Sequence, residues 1–172
     1  EFQVAVTTDR DAYLNGETIN VVVEASYYFG GPVANAQVYW NVLSAEYGFN
    51  YQCPRGEKCP PYSWTDYDWE RDRGGYGGYG RLIASGQAST DEHGRAVFTV
   101  PADIGEELTS RRFTIEANVA DINNQYVSHR TTAIVHKGQY YIGLAPQGRI
   151  AKAGEEHRVD LLTVDWDGAP VA

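Results

Sequence analysis

Cys53 and Cys59 bracket the short stretch Cys-Pro-Arg-Gly-Glu-Lys-Cys. Two cysteines this near each other read as a local disulfide of an oxidising compartment, with free thiols or a metal site as the alternatives. Closing so short a ring contributes roughly 2 kcal/mol. The metal reading is short of ligands: there is no second cysteine pair, and His93, His129, His136 and His157 all lie far away in sequence. These histidines share no His-x-x-x-His spacing and read as ordinary surface residues. Nucleophilic catalysis has no Gly-x-Ser-x-Gly elbow to rest on, and no phosphate-binding glycine loop ends in Lys-Ser or Lys-Thr. Cys53, followed by Pro54 and paired, would be a poor nucleophile. Asp66, Asp68, Glu70 and Asp72 crowd together, but the central Gly and terminal Glu of a calcium loop are missing. Arg71 and Arg73 offset their charge, so a solvated loop is expected. A carboxylate pair for glycoside cleavage has only the abundance of acids in its favour. No catalytic, cofactor-binding or metal-binding residue is assigned, no cofactor is expected, and the chain reads as a non-enzyme.

Aromatic side chains are the remaining candidates. The stretch 45–81 holds Tyr47, Phe49, Tyr51, Tyr62, Trp64, Tyr67, Trp69, Tyr76 and Tyr79, with Pro60-Pro61 and a glycine-rich run over 74–80. Aromatic faces stack on sugar rings or partner side chains, which makes Tyr62, Trp64, Tyr67 and Trp69 the candidate contact residues. Alternatively the aromatics fold back and cover one sheet.

The elements that must carry this stretch alternate with period two. Ile19, Val21, Val23 and Ala25 interleave with Asn20 and Glu24; Val38, Trp40 and Val42 with Gln37, Tyr39 and Asn41; Phe113, Ile115, Ala117 and Val119 with Thr114, Glu116 and Asn118. That pattern buries one face of a strand and wets the other. Strands are expected over 2–8, 18–28, 36–43, 82–89, 94–100, 112–121 and 126–136. Asn15-Gly16, Gly30-Gly31-Pro32 and Asp91-Glu92-His93-Gly94 supply turns, the last read as a hairpin. No window carries a capped 3.6-residue stripe. Seven strands and no helices predict an all-β, seven-stranded antiparallel sandwich. The segment 45–81 then reads as a long aromatic insertion between two strands.

Composition agrees and excludes alternatives. The chain has 172 residues, 42% hydrophobic and 22% charged, enough to bury roughly 70% of its unfolded surface. A net charge of −9 argues against nucleic acid. No apolar run approaches the ~18 residues of a membrane span. The chain has no Met and opens at Glu1 without a leader, so a processed chain or an excised piece is expected.

An internal repeat is visible at an offset of 138. Asn15-Gly16-Glu17 returns as Ala153-Gly154-Glu155, and Gly31-Pro32-Val33-Ala34 as Ala169-Pro170-Val171-Ala172. Val4 and Val6 align with Ile142 and Leu144. The domain expectation is a sandwich over 1–137 and, over 138–172, the truncated opening strands of a second one. Two strands alone are marginal in water.

Several of these motifs resemble the alpha-2-macroglobulin family. Thr8-Asp9-Arg10-Asp11-Ala12-Tyr13-Leu14-Asn15-Gly16-Glu17-Thr18 resembles the opening of a macroglobulin domain, where Tyr-x-x-Gly-Glu precedes the second strand. Tyr28-Phe29-Gly30-Gly31-Pro32-Val33-Ala34-Asn35-Ala36 is similar to the bacterial members, and Thr90-Asp91-x-x-Gly94 to their later hairpin. The resemblance implies tandem macroglobulin domains with an immunoglobulin-like sandwich, in a secreted or periplasmic protein of the bacterial cell envelope that traps proteases. It implies neighbouring macroglobulin domains as partners, and proteases only through the parent chain. The family's Cys-Gly-Glu-Gln thioester motif is absent, and no bait motif transfers. The expected function is therefore a structural module of a broad-spectrum protease inhibitor. The alternative is a cell-surface adhesion or carbohydrate-binding sandwich that uses the aromatic insertion.

Overall fold

The computed structural model describes residues 1–64, 80–148, 150 and 152–171. Tyr67, Trp69 and the carboxylates of 66–72 lie outside the described residues. Every regular element is a strand: β1 Phe2–Thr8, β2 Ala12–Leu14, β3 Thr18–Tyr27, β4 Gln37–Glu46, β5 Arg81–Ser89, β6 Arg95–Pro101, β7 Arg111–Ala120, β8 Tyr126–His136, β9 Tyr141–Pro146 and β10 Val159–Val164. The described residues divide into two compact units, 1–47 with 80–137 and 48–64 with 138–171.

The first unit is a sandwich of a three-stranded sheet, β1-β3-β6, and a five-stranded sheet, β2-β8-β7-β4-β5. Alternation does what it predicts: Val4, Val6, Ile19, Val21 and Val23 from one sheet pack in a single core with Val38, Val42, Phe113, Ile115 and Val135 from the other. The structure departs from a wholly antiparallel arrangement at β2, which pairs in parallel with the end of β8. Three residues are too few to show a period, so β2 has no sequence signal of its own. The turn at 91–94 is tight, with Gly94 N–H donating to the Asp91 carbonyl at 3.0 Å. It is not the expected hairpin, because β5 pairs with β4 and β6 pairs with β3. The chain there crosses from one sheet to the other. His136 is buried rather than a surface residue, its ring edge-on to Tyr47.

The stretch 9–17 explains its own composition. Tyr13 is fully buried and its hydroxyl donates to Asp9 Oδ1 at 2.7 Å, while Arg10 N–H donates to that hydroxyl at 3.0 Å. Leu14 N–H donates to Glu17 Oε2 at 2.7 Å, and Arg10 pairs with Glu17 at 3.2 Å. Gly16 turns the chain with a φ of +94°, a region side chains avoid. These residues tie a corner of the sandwich together.

In the second unit, β9 and β10 form an antiparallel pair that copies β1 and β3. Val4 faces Ala25 as Ile142 faces Thr163, and Val6 faces Val23 as Leu144 faces Leu161, every position shifted by 138. The following turn coincides as well. Tyr27 N–H donates to Gly31 at 3.0 Å and Val33 N–H to Ala25 at 3.0 Å; Asp165 N–H donates to Ala169 and Val171 N–H to Thr163, both at 2.9 Å. The repeat therefore extends to backbone register.

Candidate functional site

The described part of the aromatic segment, 48–64, leaves the end of β4 and packs on β9 and β10. Its bend is closed by a disulfide between Cys53 and Cys59. Pro54 to Glu57 make a tight turn inside that ring, Glu57 N–H donating to the Pro54 carbonyl at 3.0 Å. Phe49 and Tyr51 lie on one arm, Tyr62 and Trp64 on the other. Tyr51 approaches Trp64 to 5.1 Å and Tyr62 to 6.3 Å between ring centroids, and Tyr62 lies 5.8 Å from Trp64. The Tyr51 hydroxyl reaches the Cys59 sulfur at 3.9 Å, so cluster and disulfide touch.

The two arms grip β9 in different ways. Phe49 stacks on Tyr141 with 4.0 Å between centroids. Trp64 lies flat over Gly143, where an added Cβ would come within 2.7 Å of the indole. Ser63 pairs with Leu144 through both backbone bonds, N–H to carbonyl, at 2.8 and 2.9 Å. Of the four predicted contact residues, Tyr62 and Trp64 are thus brought into one half-buried cluster. Phe49, Tyr51, Tyr62 and Trp64 form the cluster that covers a face of the second hairpin, while Tyr47 packs on His136 of the first unit.

Sequence reasoning passed over Tyr141 and Gly143, which receive Phe49 and Trp64, and over Ala145, Leu162 and Val164 on the same face of the hairpin. A signal existed. Shifted by 138, these correspond to Gln3, Ala5, Thr7, Glu24 and Ser26, which form the wetter outer face of the first unit. At four of these positions the second copy is apolar where the first is polar, Tyr141 for Gln3, Ala145 for Thr7, Leu162 for Glu24 and Val164 for Ser26, whereas Asp160 on the same face replaces Val22.

Neither of two grooves among the described residues assembles a reaction centre. One of about 210 Å³ is lined by Phe49, Asn50, Gln52, Trp166, Asp167 and Gly168, with Trp166 Nε1 donating to the Gly138 carbonyl at 2.8 Å. The other, of about 310 Å³ in the first unit, holds Arg81 and Glu107, already paired at 3.5 Å. Arg111 adds a second contact to Glu107 at 3.7 Å and donates to Ser44 Oγ at 3.1 Å. Both arginines are thus engaged with Glu107, and Asp103 accepts from Gly105 N–H. Among the described residues, no three His, Cys, Asp or Glu side chains converge as a metal site would need. No helix of the structure is long and apolar enough to cross a membrane.

The chain is similar to known proteins throughout its length, although no family model matches it. It is 26% identical over 172 residues to an alpha-2-macroglobulin of Thermotoga maritima, covering 99% of this chain and 9% of that protein. The native conformation of the Escherichia coli alpha-2-macroglobulin superposes with a TM-score of 0.63 at 12% identity, covering 98% of this chain and 11% of that one. The Salmonella alpha-2-macroglobulin reacted with methylamine superposes at 0.65 and 11% identity, again over 98% and 11%. The chain spans about a tenth of the length of these relatives.

Proposed function

The chain carries a domain of macroglobulin type, similar to those of bacterial alpha-2-macroglobulins, and from that premise we propose that it is a structural module of a protease-trapping scaffold. It does no chemistry itself. The observation that supports this reading most is the tandem copy. A hairpin of the same register opens a second unit, and the face that matches the first unit's core stands open. Ile142, Leu144, Val159 and Leu161 are 53%, 45%, 48% and 68% exposed, whereas Val4, Val6, Val21 and Val23 at the same places are at most 7% exposed. An apolar sheet face of this kind is made to receive a second sheet. We read 1–137 as one module and 138–172 as the opening of the next. The disulfide suits an extracellular or periplasmic setting. Trp64, packed against Gly143 and its aromatic neighbours, supports an architectural role over adhesion.

Residual trypsin activity toward a large protein substrate tests the reading. The parent chain is expected to suppress it, a parent lacking residues 1–172 to lose most of that suppression, and the isolated 172-residue chain to give none. Suppression that survives the deletion would remove the module from the scaffold. Glycan binding by the isolated chain, abolished in Trp64→Ala, would favour the adhesion alternative.

A further inference from the structure

Apart from Asp160 on the outer face and Thr163 on the inner one, the second hairpin is apolar on both faces, and only one of them matches the first unit's core. Its outer face is covered by a segment that comes from between β4 and β5. We propose that 48–64 is a dedicated strap, and that the outer face of β9–β10 is its docking site. The strap adds cover to one face and an edge partner to β9, and so holds in order a two-stranded hairpin that would otherwise fray.

The first unit serves as an internal control for specificity. Ala5 stands where Gly143 stands in the copy, and a Cβ at Gly143 would collide with Trp64. Gln3 replaces the Tyr141 platform on which Phe49 stacks, and Ser26 replaces the fully buried Val164. The strap therefore fits one hairpin of this chain and not the other. The edge amides differ in the same sense. Val6 N–H finds His129 Nδ1 at 3.3 Å, a group from the facing sheet. Its counterpart, Leu144 N–H, finds the Ser63 carbonyl of the strap at 2.9 Å. The Cys53–Cys59 ring closes the bend and holds the two aromatic arms beside each other. Since the strap is part of the same chain, its effective concentration at the hairpin is high and modest contacts suffice.

Amide hydrogen exchange on the 172-residue chain tests this, with Leu144 N–H reporting on the strap and the inward-facing amides of β9 and β10 on the hairpin. Gly143→Ala is the decisive variant, because alanine is a better strand residue than glycine and a self-sufficient hairpin would gain protection from it. A hairpin held by the strap should instead exchange at least tenfold faster. Trp64→Ala should do the same, and the double variant should be no worse than either single one, since both remove one contact. The amides of β1, β3 and β7 should keep their wild-type rates, which certifies that the first unit is folded. Unchanged or slower exchange in Gly143→Ala, additive effects of the two changes, or equal loss of protection in the first unit would each overturn the proposal.

Discussion

The Asp9–Tyr13–Glu17 corner shows how much one residue-level arrangement determines. The Tyr13 hydroxyl, and after it the Asn20 N–H, hold the Asp9 carboxyl down at about 2. Burial, and then the bond to Asp9, push the Tyr13 hydroxyl up to about 12. Glu17, Asp91 and Asp121 are also held below the usual carboxylate range, mainly by the N–H groups of Leu14, Arg95 and Gln125. The native state keeps these carboxylates ionised where the unfolded chain, titrating near ~4, takes up protons. Their contribution is thus present above about pH 4 and lost as pH falls, in the case of Asp9 toward about 2. Urea midpoints of wild type and Asp9→Asn should converge between pH 5 and 2; a difference that does not vary with pH would refute the assignment. Tyr13 acts at the other end. The unfolded phenol ionises near ~10 while the native one resists to about 12, so stability is lost as pH rises between them. Tyr13→Phe should blunt that alkaline loss. It should also cost about 1–3 kcal/mol at neutral pH in denaturant melts, because Asp9 and the Arg10 N–H lose their partner.

At the scale of the element, small residues decide where large ones sit. Gly86 in β5 lies under the Trp40 indole, and a Cβ there would fall 2.3 Å from a ring carbon. Trp40 in turn stacks on Phe98 of the other sheet, with centroids 4.6 Å apart. Gly86→Ala should therefore cost about 1–3 kcal/mol through overpacking, visible as a lower denaturant midpoint with unchanged slope. A neutral result would mean that Trp40 has room to move. Such positions are only half legible in sequence. The alternation of Val38, Trp40 and Val42 places Trp40 on a core face, but nothing local identifies Gly86 as the residue opposite it. The same holds for Trp64. Its type marks it as an anchor, while its partner Gly143 is visible only by comparing the two copies position by position.

At the scale of the whole molecule, the described residues form a sandwich and a second unit in which 48–64 packs on the hairpin β9–β10. The open face of that hairpin, formed by Ile142, Leu144, Val159 and Leu161, is a compact apolar patch. It should bind an apolar dye such as ANS, and Leu161→Asp should at least halve the emission without lowering the melting temperature of the first unit. Emission unaffected by that change would place the dye, and the exposed patch, elsewhere.

Sequence by itself determined the strand periodicity, the offset of the repeat and the macroglobulin resemblance, and favoured the Cys53–Cys59 bridge that the structure forms. These are local or self-similar properties that need no knowledge of distant neighbours. Only the tertiary structure decided that β2 runs parallel to β8, that the 91–94 turn crosses between sheets, and that residues 48–64 lie on β9 and β10. Alternation states that one face of a strand is buried but not what buries it. That choice depends on contacts between residues some eighty positions apart, such as Trp64 and Gly143, and forms only when the chain closes on itself.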